Sequence, residues 1–386
     1  MIAYNPLWLN NLLIREQAGQ AFHQGSLDKE ERDNINNKYQ TYFYSPNFFI
    51  RIGLFILTTI ILLFSFGLFA LLFLSSIDKA ISGLAIFFAI VSYAALEYMI
   101  QSKNHFQSGV DDALLWISAC SLLGGISYLT GAGGLANCVI VFVISLYSCL
   151  RFGDRVMSVV WFISLLGIFF FACTKTGTAA KAFVPFVLMA VSIAIYFLVK
   201  IIKRQTINQL YSGCLQIISI SALISFYFSG NYYIVRELSN AMFNLNLAEN
   251  APITLGWFFW LFTVVIPCFY LTRGIQKKDI VLIRIGLLLI AAIIFTVRYY
   301  YSIASIEVVM TAGGITLVVI SYGLTRYLKV PKFGFTSVEI DSSGAKEKLV
   351  IESILLAQTF TGESAPSAAN KFGGGSFGGG GASGDF

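Results

Sequence analysis

The chain has 386 residues, of which 57% are hydrophobic and only 12% charged, and its mean hydropathy is +0.75. A soluble domain carries about 25% charged residues, so this chain has too little polar surface to face water, and lipid must cover much of it. The net charge of +6 does not mark a nucleic-acid binder, because the basic residues stand between apolar runs rather than in one patch.

The chain begins with a polar segment, 1–47, that has no apolar core and contains Arg15, Glu16 and the run Asp28-Lys29-Glu30-Glu31-Arg32-Asp33. It does not read as a signal peptide, and the first spanning helix is expected to act as an uncleaved anchor. Pro6 opens a first helix that carries Leu9, Leu12, Leu13 and Phe22, and Gly25 ends it. Ser26 is the expected N-cap of a second helix reaching about Tyr39, with Asp28, Glu30 and Glu31 at its start, where negative charge suits the helix dipole. Two short helices bury little alone, so this cytoplasmic hairpin is expected to dock on the membrane domain or on a partner.

From Phe48 onward, apolar runs of about 18–25 residues follow one another, long enough to cross a hydrocarbon core of roughly 30 Å. They predict an all-α polytopic bundle of about ten spanning helices. These lie near 48–76, 79–101, 112–130, 134–150, 156–174, 180–201, 208–229, 252–272, 280–297 and 302–325. The chain lacks the alternating segments of about ten residues that build a β-barrel. One longer connection, 230–251, holds Arg236, Glu237 and Asn240 and reads as an amphipathic surface helix. Loops on the N-terminal side of the bundle hold most of the Lys and Arg, which predicts that both termini are cytoplasmic. The transmembrane domain is thus 48–326. Residues 327–366 form a cytoplasmic tail with room for a short strand or helix. The glycine-rich end, 367–386, is expected to be disordered, because ordering so much glycine costs more backbone entropy than it returns. Its spaced Phe372, Phe377 and Phe386 are candidate stickers for a partner.

Ionisable side chains at membrane depth are costly and need a reason. Glu97, near the inner end of the second span, matches Arg284 in depth, about a turn inside the ninth. These two are expected to pair if their helices touch. Glu307 matches Arg298 across the last hairpin in the same way. Arg284 and Arg298 stand about four turns apart on one helix face, which is expected to point inward. Such charges either form structural ion pairs at the rims or line a path for a proton or anion. Asp111 and Asp112 open the third span, where a capping role suffices. Pro185, Pro267, Gly124-Gly125, Gly131, Gly133-Gly134 and Gly313-Gly314 are places where a transporter-type helix could break. Close packing of helices through small residues is the plainer expectation.

Enzyme motifs are scarce. His23 and His105 are the two histidines, both outside the spans, so a buried Ser–His pair is not expected. There is no HExxH and no GxxxxGK[ST]. The glycine-rich tail lacks the Lys and following helix of a phosphate loop. Gly153-Asp154 has part of the Gly-x-Gly-Asp form of intramembrane aspartyl proteases, but Arg151 holds the leading position and no Tyr-Asp partner occurs. The six cysteines lie in or beside apolar runs with no CxxC pair, and read as small buried residues. No cofactor, metal or nucleic acid is expected. The resulting reading is a non-enzymatic integral membrane scaffold that recruits protein partners through its cytoplasmic ends. The alternative is a secondary transporter or channel with Glu97, Arg284, Arg298 and Glu307 on its pathway.

Three features together carry a family likeness: Gly25-Ser26-Leu27-Asp28-Lys29-Glu30-Glu31 before the first span, many apolar helices, and Arg298-Tyr299-Tyr300-Tyr301 between the last two. This chain resembles bacterial multi-spanning inner-membrane proteins of unknown function that carry a short N-terminal helical domain. The likeness covers about 7–328. It implies a bacterial inner membrane and no established activity. The end, 377–386, is similar to the C-terminal tails of bacterial membrane proteins that bear a TPM domain. Only the tail is shared, so no phosphatase activity is implied.

Overall fold

The computed structural model describes residues 2–23, 26–72, 77–176, 178–203, 210–243, 253, 255–277 and 279–300, with scattered helical positions between 308 and 326. Among the described residues there are twelve helices and no strand. In order they are α1 (Pro6–His23), α2 (Lys29–Lys38), α3 (Phe48–Leu72), α4 (Ile77–Lys103), α5 (Val110–Thr130), α6 (Gly134–Phe152), α7 (Arg155–Thr176), α8 (Thr178–Ile202), α9 (Ser212–Gly230), α10 (Tyr232–Phe243), α11 (Gly256–Lys277) and α12 (Ile280–Tyr300). Nine of them, α3 to α9 with α11 and α12, are long and apolar enough to cross a membrane. The chain is an integral, multi-pass, all-α protein. The expected tenth span, Glu307 within it, and the tails 327–366 and 367–386 lie outside the described residues, apart from those scattered positions.

Short turns make sequence neighbours pack antiparallel. The described spans associate as hairpins, α4 with α5, α6 with α7, α8 with α9 and α11 with α12, while α3 rests on α5. Small residues let the backbones approach. A Cβ on Gly125 would stand 2.7 Å from Ile86 and 3.0 Å from the Ser82 carbonyl oxygen, and one on Gly167 would stand 2.8 Å from the Cys138 sulfur. This is the close packing expected of membrane helices. The helices α8 and α11 run on through Pro185 and Pro267, so neither proline breaks its helix. No residue of α3 is buried, and Phe64 and Leu72 stand almost bare. Apolar surface on this scale needs lipid against it.

Two local expectations change. The helix α2 is capped by Asp28 rather than Ser26: the Asp28 N–H donates to Glu31 Oε2 at 3.0 Å, the reciprocal half of a capping box. The connection after α9 does form a helix, α10, but it is tucked in rather than laid on the surface. Tyr232, Val235 and Arg236 are buried. The Arg236 guanidinium lies 5.3 Å from the Tyr300 ring centre and donates to Glu237 at 3.1 Å. Asn231 sets the entry to α10. Its amide nitrogen donates to Tyr227 (3.0 Å) and Thr296 (3.1 Å), and its oxygen accepts the Tyr233 N–H (3.0 Å). One asparagine thereby ties α9, α10 and α12 together.

Candidate functional site

The polar chemistry of the described bundle gathers at the end where α4 turns into α5 and α6 into α7. The first turn, 104–109, holds two non-glycine residues at positive φ, Asn104 and Gln107, and then Gly109 at φ +91°. Glycine is required there twice over, because a Cβ would also collide with the Arg51 carbonyl oxygen of α3. That close crossing carries the Arg51 side chain to Asp112, which accepts from Nε at 3.0 Å and from Nη2 at 2.7 Å. Asp111 is buried and accepts from the Ser108 N–H (2.8 Å) and hydroxyl (2.9 Å). The second turn is two residues long. Gly153 ends α6 in the left-handed region at φ +63°, and Asp154 caps α7 by accepting the Met157 N–H at 2.6 Å. The Gly153-Asp154 pair is thus a helix stop followed by a helix start.

The N-terminal segment closes over these turns. The Ala3 N–H donates to the Arg151 carbonyl at 2.8 Å. Tyr44 exchanges backbone bonds with the α4–α5 turn, donating to the Asn104 carbonyl (2.9 Å) and accepting from the Phe106 N–H (3.2 Å). Aromatic rings complete the clasp: Phe43 stacks on Phe106 at 4.9 Å, and Tyr4 meets Phe106 edge-on at 5.0 Å. Between this arm and the bundle lies a cavity of about 1190 Å³ whose lining includes Tyr4, Glu16, Arg51, Asp111, Asp112, Asp154 and Arg155. Burial pushes the Asp154 carboxyl above the ordinary aspartate range, with Asp111 adding to the shift and the Met157 and Val156 N–H groups and Arg51 opposing it. Burial, with the charges of Asp111, Asp112 and Asp154, also pushes the Tyr4 phenol up.

Glu97 sits beside this site with a different partner from the one expected. Arg151 on α6 grips it with two bonds, Nε to Oε1 at 2.9 Å and Nη2 to Oε2 at 3.0 Å. Tyr93 (2.7 Å) and Gln101 (2.8 Å) donate to the same carboxylate. Arg284 does not join them. It lies with Leu288 and Phe295 on the exposed stripe of α12, while Leu282, Ile285 and Leu289 face the core. The inward face expected for Arg284 and Arg298 therefore turns outward at Arg284, and Arg298 is half-buried near the far end of the helix. The expected Arg298–Glu307 pair falls outside the described residues.

A Ser–His contact also exists against expectation, His105 Nδ1 to Ser108 Oγ at 2.7 Å. Serine is the middle member of that chain and passes its own proton toward Asp111. A hydrolytic triad needs histidine in the middle to take the serine proton. Ser108 is moreover fully buried, so no substrate reaches it. The contact locks the turn. Among the described residues no group of three or more His, Cys, Asp or Glu side chains could hold a metal ion. Sequence reasoning missed Arg151 and Arg51 as partners because each stands more than fifty residues from its carboxylate. The visible signal was acids at the starts of two spans, Asp111-Asp112 and Asp154, on the same side of the bundle. No protein-family model, no curated protein and no solved structure matches this chain.

Proposed function

We propose that the protein is a non-enzymatic scaffold of a bacterial inner membrane, with its N-terminal helices and C-terminal tail in the cytoplasm, where they recruit protein partners. The observation that carries this reading is the way α1, α2 and the arm after them are built into the bundle. Backbone bonds from Ala3 and Tyr44 and the rings of Tyr4, Phe43 and Phe106 join the arm to two turns. An element anchored this way presents a defined surface, and Leu7, Tyr42 and Tyr44 stand exposed on it. The excess of Lys and Arg in the loops at this end supports a cytoplasmic placement. Two ion pairs near it, Glu97 with Arg151 and Arg51 with Asp112, have the geometry of structural groups.

A transporter has less support. Glu97, Arg284 and Arg298 do not line the large cavity, and α8 and α11 are continuous through their prolines. The deciding experiment is in-cell crosslinking followed by purification of the full chain and of versions lacking 1–47 or 367–386. Loss of specific crosslinked proteins in either deletion is the expected result. An unchanged set in both deletions removes the scaffold reading.

A further inference from the structure

The cavity beneath the N-terminal arm holds carboxylates that its own cations answer only in part. Asp111, Asp112 and Asp154 reach it from two separate turns. Arg51 answers Asp112. Asp111 accepts from Ser108, and Asp154 accepts the Met157 N–H; these are neutral donors. Across the cavity, Arg15 is occupied by Asn36 (3.2 Å) and Thr41 (3.1 Å), next to Glu16. Arg155 lies along Gly213, its Nε 2.8 Å from where a Cβ would stand. The second observation is Tyr4. It is 8% exposed, it lines the same cavity, and the three aspartates all act on its hydroxyl. Among the described residues that hydroxyl makes no hydrogen bond. A largely buried tyrosine that lines a cavity with carboxylates offers a ligand there one donor and one acceptor.

The shape says what kind of cation fits. A hard metal ion takes about six to eight converging oxygens, and among the described residues no three His, Cys, Asp or Glu side chains gather to hold one. Small-molecule sites run to about 1000 Å³, so a cavity of about 1190 Å³ suits an extended ligand. Phe43, Phe106, Leu115 and Phe152 supply apolar wall for methylene groups. The geometry points to a binding site for a primary di- or polyamine, with one ammonium held by Asp111, Asp154 and the Tyr4 hydroxyl and the chain running along the aromatic wall toward Glu16. This goes beyond the scaffold role and does not depend on it.

The test uses the full chain, purified into nanodiscs of zwitterionic phosphatidylcholine so that the lipid itself does not attract amines. Spermidine and putrescine are titrated calorimetrically at about 150 mM salt, with Mg²⁺ as competitor. Saturable binding is expected. Asp154→Asn, which keeps an acceptor for Met157, should weaken it about tenfold by removing a charge-assisted bond. Tyr4→Phe removes one oxygen without changing the packing and should weaken it severalfold. Arg284→Gln, on the exposed stripe of α12, should leave it unchanged. Absence of binding by both amines, displacement by Mg²⁺ at equal concentration, or affinity unaltered in both Asp154→Asn and Tyr4→Phe overturns the assignment.

Discussion

Arg151 and Glu97 form a fork-to-fork pair whose side chains are only 29% and 17% exposed. Two parallel bonds from one guanidinium fix geometry that a lysine cannot reproduce. Removing the arginine leaves a half-buried carboxylate with Tyr93 and Gln101 as its remaining donors. Arg151→Leu should therefore lower stability by roughly 2 kcal/mol, the scale of a lost hydrogen bond to a charged group. Arg151→Leu combined with Glu97→Gln should recover part of the loss, because no stranded charge remains. Chemical unfolding of the four proteins in detergent checks this, and a double variant that loses the full sum of both singles would contradict the pairing. The sequence offers Arg284 as a partner for Glu97 if their helices touch, and the structure gives Arg151 instead. Depth along a helix can be counted from the residue number, but which helix stands beside it cannot.

At the scale of elements, the turn between α6 and α7 depends on Asp154 as a cap. Burial raises its folded pKa above the unfolded value of about 3.9, with Asp111 adding to the shift and Arg51 opposing it across the cavity. The folded state then binds this proton more tightly than the unfolded chain. The resulting stabilisation is complete below the unfolded pKa and is lost as pH rises through the folded one. Asp154→Asn has no proton to lose and keeps an oxygen for Met157. Relative to the variant, the wild type should lose stability as pH climbs from about 4; parallel pH profiles would contradict the burial of this carboxyl. The aromatic clasp makes a separate prediction. Phe106 stacks on Phe43 and meets Tyr4 edge-on, so Phe106→Ala should free the N-terminal arm while the spans stay packed. Limited proteolysis should then remove the first 47 residues faster, with the membrane core left intact. These elements were partly readable. Helices α1 and α2 follow from Pro6, the leucine spacing and the acidic start of α2, whereas the clasp is legible only as docking on the membrane domain or on a partner.

For the whole molecule, the solvent decides the architecture. Helices with as little buried surface as α3 hold together in lipid, where each helix satisfies its own backbone. Reporter fusions at residue 1 and residue 386 should both report the cytoplasm, and a periplasmic signal from either would invert or break the positive-inside assignment. By itself the sequence determined the all-helical class, the nine spans found among the described residues to within a few residues, and the small-residue packing, because apolar length and helical rise are properties of a single segment. Tertiary structure alone decided that Glu97 belongs to Arg151 and Asp112 to Arg51, that Arg284 faces outward, and that two turns and an N-terminal arm enclose a charged cavity. Those facts depend on which helices become neighbours and how each is rotated about its axis, and such choices are made by packing between segments far apart in the chain.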